Sequence, residues 1–192
     1  MLVVGIGGTG RLGSTTEVAL RVTLAGLKQS GAEVKMFSAE ALRFPLYDPL
    51  DRYAVQAAGP FLEAIQAAEG VVLASPGYHG TVSGLVKNAC DYLEELSAGP
   101  RPYLSDRPVG CIAVAHGWQG AVNTLRTLRD IVHSLRGWPT PYGAAINATD
   151  PVFADGKCVN ADVRRGLLMI GEQVHTAALQ RAALPPLQQQ CQ

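Results

Sequence analysis

The sequence predicts an α/β fold, a five-stranded parallel sheet with helices on both faces. Two observations carry this. Five short apolar runs, at residues 2–6, 33–37, 71–75, 109–115 and 142–147, are rich in Val and Ile and mostly lack polar alternation. Strands buried on both faces have that character. Between the runs, apolar residues recur at helical spacing, so strands and helices alternate along the chain. Such alternation implies right-handed crossovers and a three-layer sandwich of strand order 2-1-3-4-5, with ligands bound beyond the strands' carboxyl ends.

The helices justify themselves in turn. Leu20, Leu24 and Leu27 share one face after the first strand, and Ala54, Ala58, Phe61, Leu62 and Ile65 share one after the second. Residues 84–96 carry Leu85, Ala89, Tyr92, Leu93 and Leu96 as the third helix. Ala121, Leu125, Leu128, Val132 and Leu135 form the fourth stripe, and Val163, Leu167, Ile170 and Val174 the last. Residues 149–157 read as a polar excursion between the last strand and the last helix.

Bulk properties restrict the function. The 192 residues are 47% hydrophobic, enough for one domain with a full core. We assign residues 1–182 to it and residues 183–192, "ALPPLQQQCQ", to a flexible or partner-docked tail. Sixteen basic and sixteen acidic side chains give no net charge, which argues against a nucleic-acid partner. No apolar run reaches membrane-spanning length, and the start of the chain does not resemble a signal peptide. Cys90, Cys111, Cys158 and Cys191 lie far apart, without C-x-x-C. That fits free thiols in a reducing cytoplasm, and no metal site is expected.

The chemistry-bearing stretch is "GIGGTGRLGSTT", residues 5–16, which holds G-x-G-x-x-G twice, at Gly5/Gly7/Gly10 and Gly8/Gly10/Gly13. A dinucleotide turn opens its helix inside the motif. Here the helix start comes later, at Ser14-Thr15-Thr16-Glu17, a capping box with Ser14 as N-cap. The acidic residue that would hold a ribose is also missing at its usual place, since Phe37-Ser38-Ala39 ends the second strand and Glu40 comes late. A Walker A loop is excluded because no Gly-Lys-Ser/Thr follows. What remains is a loop whose backbone N–H groups, together with Thr9, Ser14, Thr15, Thr16 and Arg11, can donate to one terminal phosphate at a helix N-terminus. The alternative is a tight turn without a ligand.

The third strand is followed by "SPGYHGTVSGLVKNACDYL", residues 75–93. This resembles the flavin loop of the NADPH-dependent FMN reductase family, typically T-P-E-Y-N-G-S-x-P-G-x-L-K-N-A-x-D-W-L. The first loop is similar to the same family's G-S-x-R-x-x-S-x-N, matched by Thr9, Arg11, Ser14 and Thr16. The resemblance implies a flavodoxin-like fold and bound FMN. It implies NADPH or NADH as electron donor, and Pro76, Gly77, Tyr78, His79 and Gly80 wrapped around the isoalloxazine ring. Two departures stand out: Gly77 replaces a glutamate and His79 an asparagine.

By position, His116, Gly117 and Trp118 match the family's loop near the flavin pyrimidine, where N–H groups stabilise charge on N1 and O2. Trp118 either flanks the ring or packs under the following helix. Arg101 and Arg107 are candidates for a nicotinamide 2′-phosphate, while His133 and His175 read as structural or exposed. No side-chain nucleophile or acid–base pair is needed, because the flavin carries the chemistry.

The resemblance further implies a small-molecule acceptor (a flavin, a quinone or a similar compound), a flavin-dependent monooxygenase as a consumer of reduced flavin, and a homodimer or homotetramer. Residues 84–96 and 43–51 are the candidate subunit contacts. The rival readings are a flavodoxin-like electron carrier without NAD(P)H turnover, which the absence of acidic excess disfavours, and a nicotinamide-only dehydrogenase.

Overall fold

In the computed structural model, residues 1–184 are described. The sequence-based assignment of a tail therefore falls, for residues 185–192 and Cys191, outside the described residues. The elements follow the expected alternation: β1 (Leu2–Gly7), α1 (Thr15–Gln29), β2 (Glu33–Phe37), a 3-10 turn (Ala39–Leu42), α2 (Arg52–Ala57), α3 (Gly59–Ala67) and β3 (Gly70–Tyr78). Then come β4 (Thr81–Val82), α4 (Gly84–Asp91), a second 3-10 turn (Tyr92–Leu96), β5 (Pro108–Ala115) and α5 (Trp118–Ser134). The chain continues through β6 (Trp138–Pro139), β7 (Ala144–Asn147), β8 (Phe153–Ala154), β9 (Lys157–Cys158) and α6 (Ala161–Ala182).

The central sheet runs β2-β1-β3-β5, all parallel, and both β6 and β7 pair in parallel with β5. Strands β6 and β7 are one fifth strand interrupted at residues 140–143. Pro139 and Pro141 have no N–H to give to a ladder, which accounts for the break. Arg129 spans the gap, with Nη2 donating to the Pro141 carbonyl at 2.9 Å. The expected order 2-1-3-4-5 is therefore present, with the last strand in two pieces. Outside this path, β4 folds back on β3, and β8 and β9 make a small hairpin within the expected polar excursion.

The two faces of the sheet bury two apolar clusters. Leu20, Leu24 and Leu27 of α1 meet Leu167, Ile170 and Val174 of α6 over one face. Phe61 and Ile65 of α3, Val86 and Ala89 of α4, and Leu128 and Val132 of α5 cover the other. The stripe expected across Ala54–Ile65 is carried by two helices, because Pro60 starts a new one at its first turn.

The helix around residues 84–96 turns its apolar side inward: Tyr92, Leu93 and Leu96 are buried in the protein's own core. The loop at residues 43–51 docks on it. Asn88 Nδ2 and the Tyr92 hydroxyl donate to the Pro45 carbonyl at 2.9 and 3.1 Å, and Tyr47 N–H donates to Asn88 Oδ1 at 2.9 Å. Tyr47 also donates its hydroxyl to Glu95 at 2.8 Å, and burial together with that carboxylate pushes its pKa to about 12. The Cys90 and Cys111 thiols are buried, which pushes both to about 12 and keeps them protonated and unreactive.

Candidate functional site

Strands β1, β3 and β5 are neighbours, so the three loops singled out in the sequence emerge side by side at one edge of the sheet. The first leaves β1 at Gly7, where a side chain cannot fit: a Cβ would stand 2.1 Å from the Ala74 carbonyl oxygen. Gly8 N–H then donates to that same carbonyl at 3.3 Å, tying the loop to β3 just before Pro76. Thr9 folds the loop locally, its Oγ1 accepting from Arg11 N–H at 3.0 Å. Ser14 caps α1 as expected, accepting from Glu17 N–H at 3.2 Å.

The reciprocal half of the capping box differs from expectation. Glu17 accepts from Gly13 N–H at 3.0 Å, not from Ser14, and its other oxygen pairs with Arg21. Because α1 cannot pair its own first N–H groups, Thr15 and Thr16 still present donors along the positive end of the helix. Thr15 and Arg11 are exposed, whereas Thr16 is buried. A cleft of about 220 Å³ opens between Thr15 and residues 148–153.

The second loop is a tight hairpin. Gly77 pairs with Val82 and Tyr78 with Thr81, leaving His79 and Gly80 at the turn. Their φ values are +49° and +92°, both in the left-handed region. A turn with two such residues favours Asn-Gly, and among other side-chain residues histidine tolerates that conformation comparatively well. The departure from the family's asparagine at His79 is thus accommodated by the backbone, and the imidazole is exposed. Ser75 secures the base of the hairpin, accepting from Ser83 N–H at 2.9 Å.

Gly77 explains the other departure. A Cβ there would lie 2.7 Å from Thr124 Oγ1 and 2.9 Å from the Ala115 Cβ. Thr124 of α5 fills the space beside it and donates to the Thr81 carbonyl at 3.4 Å. This contact joins the second loop to the third. Pro76, level with Val114 in the sheet, continues the same seam.

The third loop is His116-Gly117, before the first turn of α5. Gly117, at φ +106°, donates its N–H to Asn147 Oδ1 at 2.8 Å. That oxygen also accepts from Thr149 N–H and Oγ1, at 3.1 and 2.7 Å. Trp118 is 63% exposed, so it is not packed beneath its helix, and Tyr78 is half-exposed. Asn147 was missed in the sequence: it looks like the last residue of a strand, and its Gly117 partner is thirty positions away. We expect Asn147→Ala to cost about 1–2 kcal/mol by stranding the Gly117 N–H. Thermal denaturation of the variant checks this.

Two arginines lie elsewhere. Arg107 is fully buried at the amino-terminal edge, just before β5, and Arg101 sits nearby, donating to Ala68 O at 3.4 Å. Both are at the opposite edge from the three loops, so neither is a 2′-phosphate ligand in this site. His133 is exposed on α5 and His175 half-buried on α6, away from the loops. Among the described residues no cluster of His, Cys, Asp and Glu is suited to a metal ion, and no helix is long and apolar enough to cross a membrane.

Comparison with known proteins shows the family and the fold. The family described as NADPH-dependent FMN reductase matches residues 1–150. A protein of Pseudomonas aeruginosa named NAD(P)H-dependent FMN reductase is 30% identical over 170 residues, covering 84% of this chain and 86% of that protein. An FMN-dependent NADPH-azoreductase of Staphylococcus haemolyticus is 37% identical over 90 residues, 47% of this chain and 44% of its own length. This chain thus spans under half of the azoreductase. Among solved structures, the flavoenzyme NAD(P)H:(acceptor) oxidoreductase of Paracoccus denitrificans superposes with a TM-score of 0.73 at 18% identity, over 94% of this chain and 98% of that one. The doubly wound sheet, the phosphate-type loop before α1 and the match over residues 1–150 converge: the chain belongs to the NADPH-dependent FMN reductase family of flavoprotein oxidoreductases and has its flavodoxin-like fold.

Proposed function

We propose that this chain binds FMN across the three loops and is an NAD(P)H-dependent reductase passing electrons to a small-molecule acceptor. The observation that carries the reading is the juxtaposition, at adjacent strand ends, of a phosphate-type loop, a glycine hairpin and a loop with an inward-tied N–H. The donor set fits FMN. Arg11, the Thr15 hydroxyl and the first N–H groups of α1 match a phosphate dianion. Thr9, Ser14 and Thr16 support that loop from within rather than all facing the ligand.

Bound FMN supplies the redox chemistry: hydride uptake from NADPH or NADH at N5, then delivery of two electrons to the acceptor. The protein's part is positioning and polarity. The hairpin at Pro76, Gly77, Tyr78, His79 and Gly80 offers backbone and the Tyr78 ring to a flat ligand. His116 and Gly117 line the neighbouring edge, and Trp118 offers an exposed aromatic face to a nicotinamide or an acceptor. A quinone, an azo compound or a second flavin fits such an open site. If reduced FMN leaves, a flavin-dependent monooxygenase is its natural consumer. Exposed Leu46, Leu50 and Tyr53 support a homodimer or homotetramer that covers them.

The test is anaerobic mixing of FMN-loaded protein with NADPH and, separately, NADH. We expect the oxidised flavin absorbance to bleach with at least one donor. A flavin that stays oxidised with both donors excludes the reductase and leaves the electron carrier.

A further inference from the structure

The loop before α1 has a second cation that its own sequence does not contain. Strand β2 pairs with β1 in parallel, so the segment leaving β2 runs beside the phosphate-type loop. There Arg43 Nη2 donates to the Gly10 carbonyl at 2.8 Å, across thirty-three positions of chain. The guanidinium lies against Gly10 itself: a Cβ at that position would sit 3.4 Å from Nη2 and 3.7 Å from Nε. Glu40 pairs with Nε at 3.1 Å. The backbone under Arg43 is anchored, because the ring of Phe44 packs on Phe61 and Tyr92 at 5.5 and 5.1 Å.

The charges around the loop leave few cations for a bound anion. Glu17 places a buried carboxylate in the first turn of α1, where it opposes a bound anion. Arg21 is committed to Glu17. Arg11 and Arg43 are then the cations left to face a phosphate. Arg43 uses one N–H on Gly10 and turns Nε to Glu40, and a guanidinium has five donors in a planar fork.

We infer that Arg43 is a second phosphate-recognising arginine of the flavin site, held in place by the Gly10 carbonyl, and that Glu40 tempers its charge. The inference rests on the FMN reading and deepens it: Arg43 makes the site discriminate a phosphorylated flavin from riboflavin. A phosphate monoester carries nearly two negative charges at neutral pH, so the effect is largely electrostatic.

The experiment measures FMN and riboflavin affinity by flavin fluorescence for the wild type, Arg43→Met, Arg43→Lys and Glu40→Gln. Both side chains are more than half exposed, so the variants keep the fold. We expect Arg43→Met to weaken FMN about tenfold and leave riboflavin unchanged, as for a lost charge-assisted contact. Arg43→Lys recovers part of the loss. Glu40→Gln tightens FMN about twofold, the scale of an exposed ion pair. Unchanged FMN affinity in Arg43→Met overturns the inference, as does equal weakening of both flavins, which would mean collapse of the loop. A wild type that binds riboflavin as well as FMN overturns it too, while a wild type that binds neither flavin overturns the FMN reading itself.

Discussion

Arg107→Met should be the most damaging single substitution considered, costing about 3–5 kcal/mol as the partners of a buried charge lose it. The side chain is fully buried and faces four backbone carbonyls. Nε donates to Ala68 O and Nη2 to Gln66 O, both at 2.9 Å, while Nη1 donates to Tyr103 O and Ser105 O at 3.1 and 3.4 Å. Gln66 and Ala68 close the carboxyl end of α3, where carbonyls lack helical partners and the dipole is negative. Arg107 therefore terminates α3 and ties it to the turn before β5. Burial pulls its pKa down to about 10, which still leaves it charged at neutral pH. Methionine fills similar volume but takes a donor from all four oxygens, leaving Ala68 O only its longer bond from Arg101 at 3.4 Å. We expect the melting temperature to fall by roughly 10 °C for a chain of this size. FMN affinity measured well below the new melting point should not change, because the cage is at the far edge of the sheet.

The second large effect concerns Gly77→Glu, which restores the residue typical of the family. Restoration should harm this protein. The new Cβ meets Thr124 Oγ1 at 2.7 Å and the Ala115 Cβ at 2.9 Å, with the Gly120 carbonyl at 3.3 Å. Overpacking of this kind costs about 1–3 kcal/mol. The strain falls on the seam between the hairpin and the start of α5, so FMN affinity should drop as well. Shortening the neighbour, in Gly77→Glu with Thr124→Ala, should recover part of the stability, since Ala115 still crowds the site. Calorimetry and FMN titration of the single and double variants decide it. A single variant as stable as the wild type would mean that the hairpin shifts freely.

These two positions mark what the sequence could and could not reveal. Strands buried on both faces announce themselves as unbroken apolar runs, and the Ser14 cap is a local pattern, so the sheet, its order and the start of α1 were legible. The hairpin at His79-Gly80 was legible through its likeness to a known loop, and the backbone supplies the reason. Arg107 and Arg43 were not legible in their roles. A cation in a loop has no periodicity, and each reaches at least one carbonyl more than thirty residues away in the chain, Arg107 to Ala68 and Arg43 to Gly10. Arg107 was accordingly expected beside a ligand and instead closes a helix. The segment at residues 84–96 shows the same limit, because apolar spacing identifies a buried face without saying whose core buries it.

The interruption of the fifth strand has a consequence for how the molecule yields under load. Trp138–Pro139 and Ala144–Asn147 pair with β5, Thr140 N–H still donates to Val109 O at 2.9 Å, and residues 141–143 separate the two stretches, so this margin is held by two short zippers in place of one. Opening can begin at the gap and travel outward in either direction. The half that ends at Asn147 also holds the Gly117 N–H, so fraying there would reach the His116-Gly117 loop before the rest of the sheet separates. The third loop and the interrupted margin of the sheet thus share a hinge, and whatever steadies one steadies the other.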